Sequence, residues 1–231
     1  MKSDFNHLSL SDEEDQELII KHPESSTPVS YAFCLVGIFL TYDRINFQLM
    51  REVFVDPWNP LRGILIFDWG AKLYLFKFFN AVDLERVISG APWLFNKQLL
   101  FFSTIKSGED SLLIPLLHVD VWVEVCDLKL GFMNEIVVSS LGNFIGSFLE
   151  YDTTCLNIDG EDSFMKIRVH MDIQNPLKRK KKLVDFDGNP FYITFRYQRI
   201  QIFCYFCGKL VHIDSFYDLL LHHKKEDLKP F

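Results

Sequence analysis

Residues 63–79 read GILIFDWGAKLYLFKFF. Two apolar runs, Gly63 to Asp68 and Lys72 to Phe79, flank the turn Trp69-Gly70-Ala71. β-Branched and aromatic residues on either side of a Gly-bearing break specify two strands joined by a turn. On the N-terminal side, Phe47, Met50, Val53 and Phe54 recur at helical spacing, and the pattern predicts a helix ending before Pro57. Before that helix, Tyr31 to Thr41 is a continuous apolar run, as a buried strand requires. On the C-terminal side, Asp83 reads as an N-cap, with Leu84, Val87 and Ile88 on one helix face and Gly90 as the stop. Gln98 to Ile105 is the next strand. The order strand, helix, strand, strand, helix, strand is the ferredoxin-like split unit, an order that the RNA-recognition module shares.

A second unit follows. His118 to Leu128 alternates, with Val119, Val121, Val123 and Val125 on one side and Asp120, Trp122 and Glu124 on the other. Asn134 caps a predicted helix whose apolar face is Val137, Leu141, Phe144 and Ile145. Phe148 to Asp152, Phe164 to Ile173 and Phe191 to Tyr197 read as strands. The basic run Lys178-Arg179-Lys180-Lys181-Lys182 falls between the last two and reads as a loop. No fixed-period repeat is visible. The predicted class is therefore α+β: an acidic flexible tail (1–29), a ferredoxin-like domain (30–112), a second sheet-plus-helix unit with the basic loop (113–200), and a short cysteine-bearing piece (201–231).

Composition bounds the function. The chain has 231 residues, 48% hydrophobic, with 23 Phe and a formal net charge of −7. That charge excludes a chain-wide electrostatic grip on nucleic acid, so any such grip is local. The longest apolar stretch is too short to span a bilayer, and no basic-then-apolar leader opens the sequence. Five scattered cysteines without a secretion signal point to a reducing, intracellular setting, and the basic run could serve nuclear import. No phosphate-cradling Gly loop, nucleophile elbow or zinc-protease motif is present, so an enzyme is not expected. Cys34, Cys126 and Cys155 read as small core hydrophobes.

Chemistry concentrates near the C-terminus in Cys204-x2-Cys207-x4-His212. Two thiolates two residues apart can hold one zinc from a tight turn. Gly208 relieves crowding there, and a His four residues on supplies a third ligand. The Cys that would complete the set stands as Tyr217. The alternative to zinc binding is a knuckle that has lost its metal. Nearby, Lys178, Arg179, Lys180, Lys181 and Lys182 offer phosphate contacts that need no special geometry. Arg168, His170, Arg196 and Arg199 are candidates for the same surface. The alternative is a solvated run of charge. Tyr197, Phe203, Tyr205 and Phe206 interleave aromatic rings that can stack on unpaired bases, with Tyr205 the candidate base contact.

The ordered motifs resemble a large plant family. They are Trp93-Leu94-Phe95-Asn96, Trp122 to Leu128, Leu130-Gly131-Phe132-Met133-Asn134-Glu135, Ile145-Gly146, Lys166-Ile167-Arg168-Val169, Pro176-Leu177-Lys178-Arg179 and Phe203 to Gly208. That family pairs a domain of unknown function with a C-terminal zinc knuckle of the Cys-x2-Cys-x4-His-x4-Cys type. Its members resemble the first-reading-frame products of plant non-LTR retrotransposons. The resemblance implies nucleic-acid binding with a zinc-binding module. Tyr217 departs from the last ligand, Val211 from a Gly before the His, and Lys129 from a Pro after Asp-Leu.

The RNA-recognition comparison can be tested on the first unit. Aligning Leu75-Phe76-Lys77-Phe78 with the end of that module's central-strand motif puts Leu73, Leu75 and Leu35 at the base-stacking positions. Phe76 and Phe78 then fall in the core, so the stacking platform is expected to be missing. Two functions remain: a single-strand nucleic-acid-binding protein of retroelement origin, or an assembly domain or inactive relic that self-associates or meets a protein partner.

Overall fold

A computed structural model describes residues 32–41, 43–70, 72–105, 114–152, 164–204 and 207–210. The predicted acidic tail lies outside the described residues.

The first unit runs β1 (Cys34–Phe39), α1 (Phe47–Trp58), β2 (Ile64–Asp68), β3 (Leu73–Phe78), α2 (Ala81–Ser89), β4 (Trp93–Phe95) and β5 (Gln98–Thr104). Its strands order as β2-β3-β1-β5-β4, all neighbours antiparallel. That is the ferredoxin-like order with β4 added at one edge by a short hairpin. α1 runs through Pro57 rather than stopping before it. The buried Trp58 stacks on Phe54 with ring centroids 4.7 Å apart, and Asn59 caps the helix in the left-handed conformation. Packing of one large ring outweighs the lost donor of a proline in the last turn. α2 begins one turn earlier than expected, because Asn80 and not Asp83 is its N-cap. Asn80 and Asp83 bond reciprocally, and Asp83, 1% exposed, also accepts from the Leu61 and Arg62 amides. Its carboxylate thus ties the α1–β2 connection to the start of α2.

The second unit runs β6 (His118–Cys126), α3 (Glu135–Ile145), β7 (Ser147–Asp152), β8 (Phe164–Asp172), β9 (Lys180–Val184) and β10 (Pro190–Tyr197). Its order is β7-β8-β6-β10-β9. The two sheets therefore share one topology, down to an extra edge strand that forms a hairpin with the last strand. The sequence shows no repeat because only the topology recurs. The second unit also lacks a counterpart of α2, since residues 173–179 form turns and extended chain. α3 covers β7 and β8 on the valine side. Leu177, Ile200, Phe203 and Leu210, with Phe101 and Leu99 of the first sheet, complete that core. Gly146, which follows α3, has no room for a Cβ, because the His170 carbonyl oxygen occupies its place.

The predicted hairpin, Phe76, Phe78 and the valine face of β6 are in place. Leu35 is not on the open face of the first sheet. It is 1% exposed and packs with Phe76 toward the helices, whereas Val36 pairs with Leu75 on the other side. A one-residue shift in reading a strand exchanges its faces, and a continuous apolar run carries no alternation to prevent it. Leu75 is 6% exposed, joining Cys34, Val36 and Ile105 in a small cluster under Ile114 and Leu116. The open-face positions of the central strands β1 and β3 thus carry no aromatic side chain, and part of that face is covered. Among the described residues, no helix is long and apolar enough to cross a membrane.

Candidate nucleic-acid interface

The basic run is mostly a strand. Lys180–Val184 forms β9, held by β10 in the register Lys180↔Thr194, Lys181↔Ile193 and Lys182↔Tyr192. Pairing with the strongly β-prone Phe191-Tyr192-Ile193-Thr194 imposes strand on a lysine-rich segment whose own preference is weak. The pleat then separates the charges. Lys180 and Lys182 share the exposed side with Tyr192, Thr194 and Arg196, and the Lys180 ammonium sits 5.2 Å from the Tyr192 ring centroid. Lys181 and Lys178 turn to the other side, where their ammonium groups approach the Phe144 ring of α3 at 4.0 and 5.9 Å. The five cations therefore do not form one surface. Lysines on an edge strand also guard it against pairing with another sheet, so β9 has a structural use as well.

Tyr197 and Phe203 do not present free rings to bases. The Tyr197 hydroxyl bonds the main chain of Lys178, burial pushes its pKa well above the ordinary phenol value, and Phe203 packs against the second core. Arg168 and Arg199 are committed elsewhere. Arg168, 7% exposed, donates to the Ile88 carbonyl at 2.7 Å and to Glu150 at 3.0 Å, and it lies 3.5 Å from Asp120. Arg199 donates to the Gly90 carbonyl at 2.9 Å and lies over Trp93. Both side chains fasten the second unit to the α2–β4 connection of the first. His170 pairs with Asp120 at 2.6 Å and stacks on His118. Of the four additional basic candidates, only Arg196 stands on the exposed side of β10 beside Lys180 and Lys182. Lys129 bridges to Asp185 at 2.7 Å and covers Phe191, bracing the β9–β10 hairpin.

The cysteine pair occupies a closed turn. The Cys204 carbonyl accepts from the Gly208 amide at 2.7 Å, and the Cys204 amide donates to the Lys209 carbonyl at 2.9 Å. Gly208 has φ +73°, the left-handed value that explains a glycine at this point. Cys204 is fully buried and Cys207 half-buried. The Gly208 carbonyl accepts from the Leu177 amide at 2.9 Å, so the turn is tied directly to the residue that precedes the basic run. Tyr205, Phe206, His212 and Tyr217 lie outside the described residues. Among the described residues, no three His, Cys, Asp or Glu side chains gather as a metal cluster, and the turn supplies two donor positions. Those two fit one half of a knuckle site, and the other half rests on the chain beyond Leu210. Burial raises the thiol pKa values of Cys34 and Cys126, as expected of core cysteines, and Cys155 lies outside the described residues.

Residues 171–219 match a zinc knuckle. Residues 30–111 match a domain of unknown function, DUF4283. The chain thus carries both parts of the predicted pairing. An uncharacterized Arabidopsis thaliana protein, At4g02000, is 24% identical over 135 residues, which cover 57% of this chain and 41% of that protein. The match spans less than half the length of that relative. Among solved structures, a Sxl-lethal protein/RNA complex overlaps 71% of this chain and 98% of its own at 15% identity and a TM-score of 0.26. The first two RRM domains of yeast poly(U) binding protein overlap 71% of this chain and 98% of their own at 10% identity and a TM-score of 0.25. Overlaps that loose add nothing to the strand order, on which the ferredoxin-like assignment rests.

Proposed function

We propose that this chain binds single-stranded nucleic acid through its second unit and the adjoining knuckle. Lys180, Lys182 and Arg196 hold phosphates on the exposed side of β9 and β10, Arg179 extends the charge toward the turn, and Tyr205 touches a base. The observation that carries this reading is the Leu177–Gly208 hydrogen bond, which holds the start of the basic run against the cysteine turn. Local positive charge and a knuckle then act on one ligand, although the whole chain is acidic. Cys204, Cys207 and His212 would hold zinc, whose chemistry here is to cross-link the turn to the chain beyond it. The resemblance to retrotransposon first-reading-frame proteins supports a retroelement origin, in keeping with the matched domain and knuckle.

The test is a titration of the protein and its K180A/K182A variant against labelled single-stranded RNA. The variant should bind several-fold more weakly and depend less on salt, because each phosphate contact releases condensed counterions. Equal binding by the two proteins contradicts the grip.

A second reading, an assembly surface, is favoured by the edge strand β2, whose Leu65 and Phe67 are exposed beside exposed Leu61. Unpaired strand edges with apolar side chains recruit other strands. Concentration-dependent dimerisation in sedimentation, abolished by Phe67→Lys, would favour it, and a monomer at all concentrations would remove it.

A further inference from the structure

We infer that the face of the second sheet opposite its valine core, which carries Trp122, is a stacking platform for unpaired bases. The inference rests on the nucleic-acid reading above and adds where and how the bases are held.

The two sheets share one topology, so each has two central strands facing away from its helices: β1 and β3 in the first, β6 and β8 in the second. In RNA-recognition modules these strands carry the aromatic side chains on which bases stack. The first sheet has none at those positions. The second does. Trp122 is half-buried at the middle of β6, between the fully buried Val121 and Val123, on the side opposite the valine core and across from Arg168, whose guanidinium reaches the first unit. A tryptophan among acids on the polar side of an alternating strand fills no core position.

Cations lie on both sides of this ring in the sheet. The Lys166 ammonium of β8 lies 6.0 Å from the Trp122 ring centroid. Lys166 and Arg196 face Glu124 from its two sides in the sheet register, Lys180 faces Thr194, and Lys182 faces Tyr192. Gln198 meets Trp122 through its amide at 2.9 Å, and Tyr192, 55% exposed, lies six residues back along β10. The two rings are therefore about 20 Å apart along the strands, at roughly 3.3 Å per residue. A short single strand can lay bases on Trp122 and Tyr192 with its phosphates over the cations between them.

The carboxylates of this face sit among its cations, with Asp152 opposite Lys166 in the register. Asp120 is paired with Arg168 and His170, Glu150 with Arg168, and Glu124 accepts from the Gln198 side chain at 2.8 Å. Toward the β9 edge, beyond Asp127 on Thr194, this side carries the positive charge of Lys180 and Lys182. That charge fits a phosphate backbone, and flat aromatic rings fit bases extracted from a stack.

The experiment uses the full chain, with W122A and W122F, titrated against short labelled RNA and DNA strands of the same sequence. Stacking on one aromatic ring predicts that W122A binds about tenfold more weakly or worse, with an unchanged salt slope, and that W122F keeps most of the affinity. Loss on both strands means stacking alone, and loss confined to RNA means that the 2′-hydroxyl is read as well. Wild-type affinity in W122A, with native near-ultraviolet dichroism, overturns the platform and leaves the β9 grip standing. Failure of the wild-type protein to bind either strand overturns both readings. If W122A does not fold, photocrosslinking of the wild-type complex decides. Adducts on Trp122 or Tyr192 support the platform, and adducts confined outside β6, β8 and β10 overturn it.

Discussion

The hydroxyl of Tyr197 holds both main-chain polar groups of Lys178, donating to its carbonyl at 2.7 Å and accepting from its amide at 2.9 Å. One phenol at the end of β10 thus fixes the point at which the basic run enters the sheet. Its removal leaves two partly buried backbone groups without that partner. Tyr197→Phe should lose about 1–3 kcal/mol of stability. Urea unfolding should show a lower midpoint at constant m-value. An unchanged midpoint would mean that Lys178 is held by other contacts.

Arg168 joins the two units. It is nearly buried, and one of its nitrogens reaches the Ile88 carbonyl across 80 residues of sequence. Replacing it by Met keeps much of the stem packing but strands the Ile88 carbonyl and frees Glu150 and Asp120 from their cation. Hydrogen bonds to a charged group typically contribute about 1.5–3 kcal/mol each. Arg168→Met should therefore unfold at lower denaturant, and hydrogen exchange should rise at the end of α2 as well as in β8. A rise confined to β8 would contradict the coupling.

Asp83 makes part of the first unit's stability acid-sensitive. Backbone hydrogen bonds from Leu61, then the Asn80 side chain and Arg62, hold its carboxyl below the ordinary value despite burial. A lowered folded-state pKa contributes stability that is present above the unfolded value of about 3.9 and lost as pH falls through the folded value. Melting temperatures should thus fall as pH drops below about 4, and Asp83→Asn should be less stable near neutrality with a shallower acid decline. An acid decline as steep in the variant as in the wild type would assign the effect to other carboxylates, of which Asp185, also lowered, is the nearest rival.

The zinc prediction turns on position 217. With Tyr217, closure of a four-ligand site is incomplete, so metal should be held weakly and lost to a mild chelator. Tyr217→Cys should retain one equivalent through the same treatment, because closed four-ligand sites are the stable ones. Metal content by mass spectrometry after dialysis reads this directly. A variant as metal-free as the parent would show that the turn is no longer a zinc site.

The legible parts of this chain are those where period and punctuation agree. The 63–79 hairpin carries its own turn, and β6 declares its faces because valine alternates with polar residues. Asn134 caps α3 as its position predicts. The face of β1 was not legible, since Leu35 and Val36 are equally apolar and only pairing with Phe76 and Leu75 distinguishes them. The start of α2 was ambiguous because Asn80 and Asp83 are both cap formers, three residues apart. β9 was hidden by its lysines, and its strand state comes from β10. In the candidate site, the Cys-x2-Cys turn and the basic run could be read from the sequence. The splitting of the run by the pleat, and the diversion of Arg168 and Arg199 to the first unit, are tertiary facts. Trp122 had a readable signal, a large aromatic on the polar side of an alternating strand, whose meaning depends on the sheet order.

The most direct test of nucleic-acid binding is the salt dependence of the wild-type affinity for a labelled single-stranded RNA. Three contacts from Lys180, Lys182 and Arg196 predict a slope of log affinity against log salt of at least about −2, at roughly −0.7 per neutralised phosphate. K180A/K182A should reduce that slope by about 1.4. Measurable binding with no salt dependence, or no binding even at low salt, would contradict the proposed grip on phosphates.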